Sequence, residues 1–193
     1  METLERGTLT NRAAVTGAIL GLVSGSYTFI SFALSSVQHP GGGIAIGLLS
    51  PVLWIAKFVG CILIMRWAMQ KLVASYEGVT NGDTLALGLA SAAFSALITA
   101  AAGYVAMEYV FPEAVSAQLD QVYQMYGKFL DSNSMSMMDK MVESYSMISF
   151  FSSLIWCFIY GAVLSKILSN RIPERNPFAE MGEEPKDKNV DEQ

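Results

Sequence analysis

Four stretches of this chain, residues 13–37, 44–65, 85–107 and 147–168, each run for more than twenty residues with at most one charged side chain. A helix needs about 20 apolar residues to cross the hydrocarbon core of a bilayer. Helices of soluble proteins show one apolar face and one polar face instead. The expected fold class is therefore an all-α membrane protein with four transmembrane helices. An amphipathic helical segment is expected at 112–146, between the third and fourth spans. One domain is expected over residues 1–170. The segment 171–193 has three prolines, mixed charge and few large apolar residues. Such a segment cannot bury enough surface to offset its ordering entropy, so a disordered cytoplasmic tail is expected there.

The first run exceeds the roughly 7–15 residues of a signal-peptide core. It is read as a retained span, although Ala33, Leu34 and Ser35 make a passable cleavage site. Lysine and arginine then set the orientation, because they concentrate in cytoplasmic loops. With both termini inside, nine of the twelve basic residues lie on the inner side: Arg6, Arg12, Arg66, Lys71, Lys166, Arg171, Arg175, Lys186 and Lys188. Lys128 and Lys140 lie outside, and Lys57 is left within the bilayer. A membrane crossed four times, with both termini cytoplasmic, is the localisation expected from this distribution.

The connections carry their own signals. Pro40 and the glycines at 41–43 allow a tight outer reversal, which also holds His39, the only histidine. The inner turn is expected at Asn81-Gly82, with Asp83 or Thr84 capping the third helix. In the outer segment Val115, Leu119, Val122, Tyr126 and Phe129 recur at helical spacing, and Pro112 suits a first helical turn. Residues 131–136, DSNSMS, are expected to break that helix before a second short one.

Small residues mark the faces on which membrane helices approach closely. Gly17, Gly21 and Gly25 repeat every four residues in the first span. Gly88 and Ala92 begin a similar row in the third, and Cys157 and Gly161 lie on one in the fourth. These residues are expected to pack helices together, more readily within the chain than between copies. Hydroxyls flank the same faces. Their simplest account is bonding back to helix carbonyls or across helices, for about 0.6 kcal/mol each.

Lys57 is the exception in its span. A lysine at mid-membrane costs about 2.5–3.5 kcal/mol, and the twelve aliphatic and aromatic residues around it outweigh that cost. Insertion therefore proceeds despite Lys57 without explaining it. Arg66 is nine residues away, about 13 Å along a helix, and helix side chains lean toward the N-terminus, away from that nearer boundary. Ser50, Trp54, Gly60 and Cys61 share its side of the helix. An inward position is expected, with Lys57 bonded to hydroxyls such as Ser24, Thr28, Ser95 or Thr99 as an intramembrane polar site.

Little else suggests chemistry. No phosphate loop, HExxH motif or paired intramembrane acid is present, so neither catalysis nor a cofactor is expected. Clustered thioethers at 135–141 can take Cu(I), but they lack a nearby histidine or cysteine, and flexible apolar anchoring is the preferred account. Cys61 and Cys157 both fall in spans, which disfavours a disulfide. No basic stripe suggests nucleic acid. The partners expected are the bilayer and a membrane-protein partner or a second copy.

The stretch KFVGCILIMRWAMQKLVASY, the stretch SLIWCFIYGAVLSKILSN leading to NPF, and the four-span outline resemble a bacterial membrane-protein family. It is catalogued as domain of unknown function 4199. The resemblance covers about residues 11–178. It implies an inner-membrane protein without an assigned activity and carries over no functional residue. The function expected is a non-enzymatic accessory or assembly partner. The alternative is a small transporter or channel subunit with Lys57 as an ion or proton site.

Overall fold

The computed structural model describes residues 2–3, 5–37, 43–126 and 132–172. Among these residues lie six helices: α1 (Arg6–Val37), α2 (Gly43–Ser75), α3 (Asn81–Val105), α4 (Pro112–Tyr126), α5 (Ser132–Glu143) and α6 (Tyr145–Ser169). A π-helical turn, Ala106–Val110, continues α3. Two two-residue strands, β1 (Glu2–Thr3) and β2 (Tyr76–Glu77), pair in parallel. Four helical segments are long and apolar enough to cross a membrane: Arg6–Ser35, Leu49–Ser75, Asn81–Val110 and Tyr145–Ser169. Residues 38–42 with His39, Lys128, Phe129 and residues 173–193 lie outside the described residues.

α3 is the central helix, packed against α1 on one flank and α6 on the other. Its small residues make this geometry. A Cβ placed on Gly17 would lie 2.6 Å from the Phe94 Cβ and 2.7 Å from the Ser91 carbonyl oxygen. One on Gly21 would lie 2.7 Å from the Ile98 Cβ, and one on Gly25 would lie 3.0 Å from the Ala102 Cβ. Gly17, Gly21 and Gly25 therefore bring α1 onto α3 within one chain. On the other flank, a Cβ on Gly161 would meet the Ala92 Cβ at 2.6 Å, and Gly88 faces Ser165 and Met69 just as closely. Ala92, Ala96 and Ala100 are buried in the middle of this stack.

α2 packs differently along its length. Met65, Ala68, Met69 and Leu72 are buried. Met65, Met69 and Leu72 join Ala13, Leu20, Tyr76, Val79, Leu87, Leu168 and Ile172 in one apolar cluster. This cluster sits where the start of α1, the end of α2, the start of α3 and the end of α6 converge. Polar contacts close the same end. The Thr84 and Ser169 hydroxyls are 2.9 Å apart, and Ser169 also donates to the Asn81 carbonyl at 2.7 Å. Arg12 donates to the Tyr76 hydroxyl at 3.4 Å, with its guanidinium 5.0 Å from that ring. N-terminal to Met65, no described residue of α2 is buried. Pro51 lies in that half, where it lacks a helical N–H; membrane helices tolerate this when neighbouring groups re-satisfy the freed carbonyl.

Two connections differ from the sequence expectation. The turn before α3 bends at Gly78, which has φ +70°, while Asn81 and Gly82 are already helical. Thr80 is the cap. It accepts from the Asp83 N–H, and Asp83 accepts from the Thr80 N–H at 2.9 Å. This reciprocal pair satisfies two orphan donors, worth about 1 kcal/mol over an uncapped end. Thr84 instead donates to Asn81 and meets Ser169. In the outer segment α4 starts at Pro112 as expected, but residues 132–136 are helical and open α5 instead of breaking a helix. A serine suits the start of a helix, where its hydroxyl oxygen can accept from a free backbone N–H; Ser136, further in, donates back to the Asn133 carbonyl at 3.2 Å. Of the spaced apolar residues in α4, Val115 is buried and Val122 is exposed.

Candidate functional site

Because α2 joins the bundle firmly only at one end, its other half stands off from α3 and α6. A cavity of about 350 Å³ lies in that gap. α3 contributes Ala92, Ser95 and Thr99, near the middle of its span, and α6 contributes Trp156, Cys157, Tyr160, Gly161 and Leu164, also centred on its span. α1 adds Leu20 and Ser24, and α2 adds Trp54, Lys57, Phe58, Cys61 and Met65. The cavity is therefore at mid-depth, and apart from Lys57 its lining is neutral. Trp54, Trp156 and Tyr160 line it yet remain exposed. Their exposure places its mouth between α2 and α6, facing sideways into what is hydrocarbon when the helices span a bilayer.

Aromatic rings frame that mouth. Phe58 lies 5.6 Å from Trp54 and 5.4 Å from Tyr160, centroid to centroid. Lys57 is half-buried, with its ammonium 4.8 Å from the Tyr27 ring centroid. A cation over a ring face gains about 0.5–2 kcal/mol, more when desolvated. Among the described residues no acidic side chain pairs with it and no hydroxyl bonds to it. The structure therefore brings Lys57, Ser24, Ser95 and Thr99 to one cavity, but it puts an aromatic ring where hydroxyl partners were expected.

The hydroxyls divide into two groups. Thr28 does not line the cavity; it donates to the Ser24 carbonyl at 3.0 Å. Ser35 and Ser165 also bond back along their own helices. Ser24 Oγ lies 3.8 Å from Cys61 Sγ, a long and weak contact. Ser91 and Thr99 are buried, and their hydroxyl oxygens have no hydrogen-bond partner among the described residues. Thr99 is only 5% exposed and lines the cavity. A buried hydroxyl left without a partner costs about 1–3 kcal/mol, so Thr99 Oγ1 is a group with bonding capacity to spare at the cavity.

Of the packing residues, Gly17, Gly21, Gly25 and Gly88 stand at helix–helix contacts, as does the Ala92–Gly161 pair, and those two residues also border the cavity. Cys157 lines the cavity with Ser153 Oγ 3.9 Å from its Sγ. Both cysteines are free. Sequence reasoning missed Tyr27, Trp156 and Tyr160. The available signal was spacing, since Tyr27 is three residues from Ser24 and Tyr160 three from Cys157. Met137 and Met141 are exposed on α5, away from this site.

The fold and the cavity together define a polytopic α-helical membrane protein with a lateral, mid-depth cleft. A family model described as a protein of unknown function (DUF4199) matches residues 16–171, and the chain belongs to that family. It has no match among curated proteins or among solved structures.

Proposed function

We propose that this protein is a non-enzymatic accessory protein of the bacterial cytoplasmic membrane, acting by recognition inside the bilayer at the Lys57 cleft. The observation that carries this reading is an amine at mid-depth with an aromatic ring beside it and no acidic partner among the described residues. A lone amine is costly in hydrocarbon, and an acidic guest at the cleft mouth offsets that cost. Both termini are placed in the cytoplasm on the basic residues. In the structure Arg6, Arg12, Arg66, Lys71, Lys166 and Arg171 belong to the end where the apolar cluster lies, and the positive-inside rule puts that end in the cytoplasm.

Threading is checked with reporter fusions. Fusions after residues 40 and 125 are expected to report the outer side, and fusions after residue 78 the inner side. Cytosolic signals at 40 and 125 refute the orientation.

The cleft is tested by purifying the protein and its Lys57→Met variant from native membranes in mild detergent. Co-purifying proteins and lipids are then compared by mass spectrometry. At least one component is expected to be lost with Lys57→Met; identical profiles overturn the reading. The transport alternative rests on the same mid-depth amine. It predicts ion flux in liposomes that disappears in Lys57→Met.

A further inference from the structure

We infer that the cleft binds a single-chain amphiphilic carboxylic acid, its chain in the aromatic mouth and its carboxylate on Lys57 and Thr99. The inference rests on the reading of the cleft as a recognition site and names what it recognises.

Size selects the guest first. Pockets for small molecules run to about 300–1,000 Å³, and this cavity of about 350 Å³ is at the small end. A helix is about 10–12 Å across with its side chains, too wide to enter. One hydrocarbon chain with a compact head fits. The lining agrees, since Trp54, Phe58, Trp156 and Tyr160 offer mostly apolar and aromatic surface.

The polar groups select the head. Lys57 supplies a cation and hydrogen-bond donors, and the Thr99 hydroxyl is buried without a partner in the same cavity. A carboxylate has two oxygens with about four acceptor sites and no donor, which complements both groups. The pair is then ammonium and carboxylate, with no net charge. Depth excludes a two-chain phospholipid. Its phosphate sits at the edge of a hydrocarbon core about 30 Å thick, whereas the cavity lies at mid-span on α3 and α6. A carboxylic acid, by contrast, reaches that depth in its neutral form, at the smaller cost of an uncharged polar group. The proton it gives up on pairing with the ammonium returns to water at the interface.

Bromine quenches tryptophan on contact, and two of the three tryptophans line the cavity while Trp67 does not. A Trp67→Phe background in nanodiscs therefore reports the cleft. The probes are a dibrominated fatty acid, its methyl ester, and a dibrominated phosphatidylcholine. Saturable quenching by the acid is expected where ester and phospholipid give only the linear, non-saturating quenching of surrounding lipid. In that background Lys57→Met is expected to weaken the acid about tenfold or more, the loss of a charged hydrogen bond. Lys57→Arg keeps binding, and Thr99→Val weakens it about threefold. Equal quenching by acid and ester on the unmutated cleft overturns the inference, and so does an unchanged Lys57→Met titration. If purification loses a protein with Lys57→Met while acid and ester quench alike, the guest is an acidic partner segment. The inference then fails and the cleft reading stands.

Discussion

Replacing Lys57 with leucine is expected to make membrane insertion of α2 more favourable by about 3–4 kcal/mol. Lysine near a helix centre costs about 2.5–3.5 kcal/mol, while leucine contributes about 0.3–0.6 kcal/mol in favour. The wild-type helix already inserts strongly, so the difference must be read where the equilibrium is measurable. Ile55→Ala and Leu63→Ala weaken α2 at two exposed positions without touching the cleft. Glycosylation mapping of the isolated segment in that background then reports the change. A shift under about 1 kcal/mol means that Lys57 reaches headgroups or water by snorkelling. That outcome removes the physical basis for a guest, because the amine then has no cost for an anion to offset.

Leucine at Gly17 is expected to destabilise the folded bundle by about 2–3 kcal/mol, at the upper end of overpacking costs. The reason is what the new side chain meets. Its Cβ falls 2.7 Å from the Ser91 carbonyl oxygen, which belongs to the backbone of α3 and cannot rotate away. α1 and α3 must separate, and that loosens the contacts at Gly21 and Gly25 as well. With no hydrophobic force between helices in lipid, such close contacts supply much of the association. Gly60→Leu is the control, since nothing lies within 4 Å of a Cβ there; its effect is expected within about 0.5 kcal/mol. Denaturation in mixed detergent micelles measures all three proteins. Equal losses at Gly17 and Gly60 contradict the α1–α3 contact.

These two residues show how differently the parts of this protein are encoded. The spans were legible because length and apolarity alone decide whether a helix crosses a bilayer. The Gly17, Gly21 and Gly25 row was legible as a packing face for a similar reason, since spacing of four residues aligns small side chains on one stripe. The inner turn was harder to place. Asn81-Gly82 has turn chemistry, but a Thr-x-x-Asp pair at Thr80 and Asp83 outcompetes it by satisfying two backbone donors at once. Likewise, residues 132–136 have loop composition, yet serines are also favourable at a helix start.

What the sequence by itself determined is the number of spans, the small-residue faces and the presence of one out-of-place amine. Only the tertiary structure decided that α3 is central, that α2 joins the bundle at one end, and that Lys57 meets Tyr27 beside a cavity. The reason is the solvent. Lipid is as apolar as leucine, so large side chains facing lipid and large side chains facing another helix look alike in the sequence. Hydrophobic patterning orients a soluble helix. Here only the fit of Gly17 against Ser91, Gly161 against Ala92 and Gly88 against Ser165 selects the arrangement. The cleft is the space which that fit leaves open.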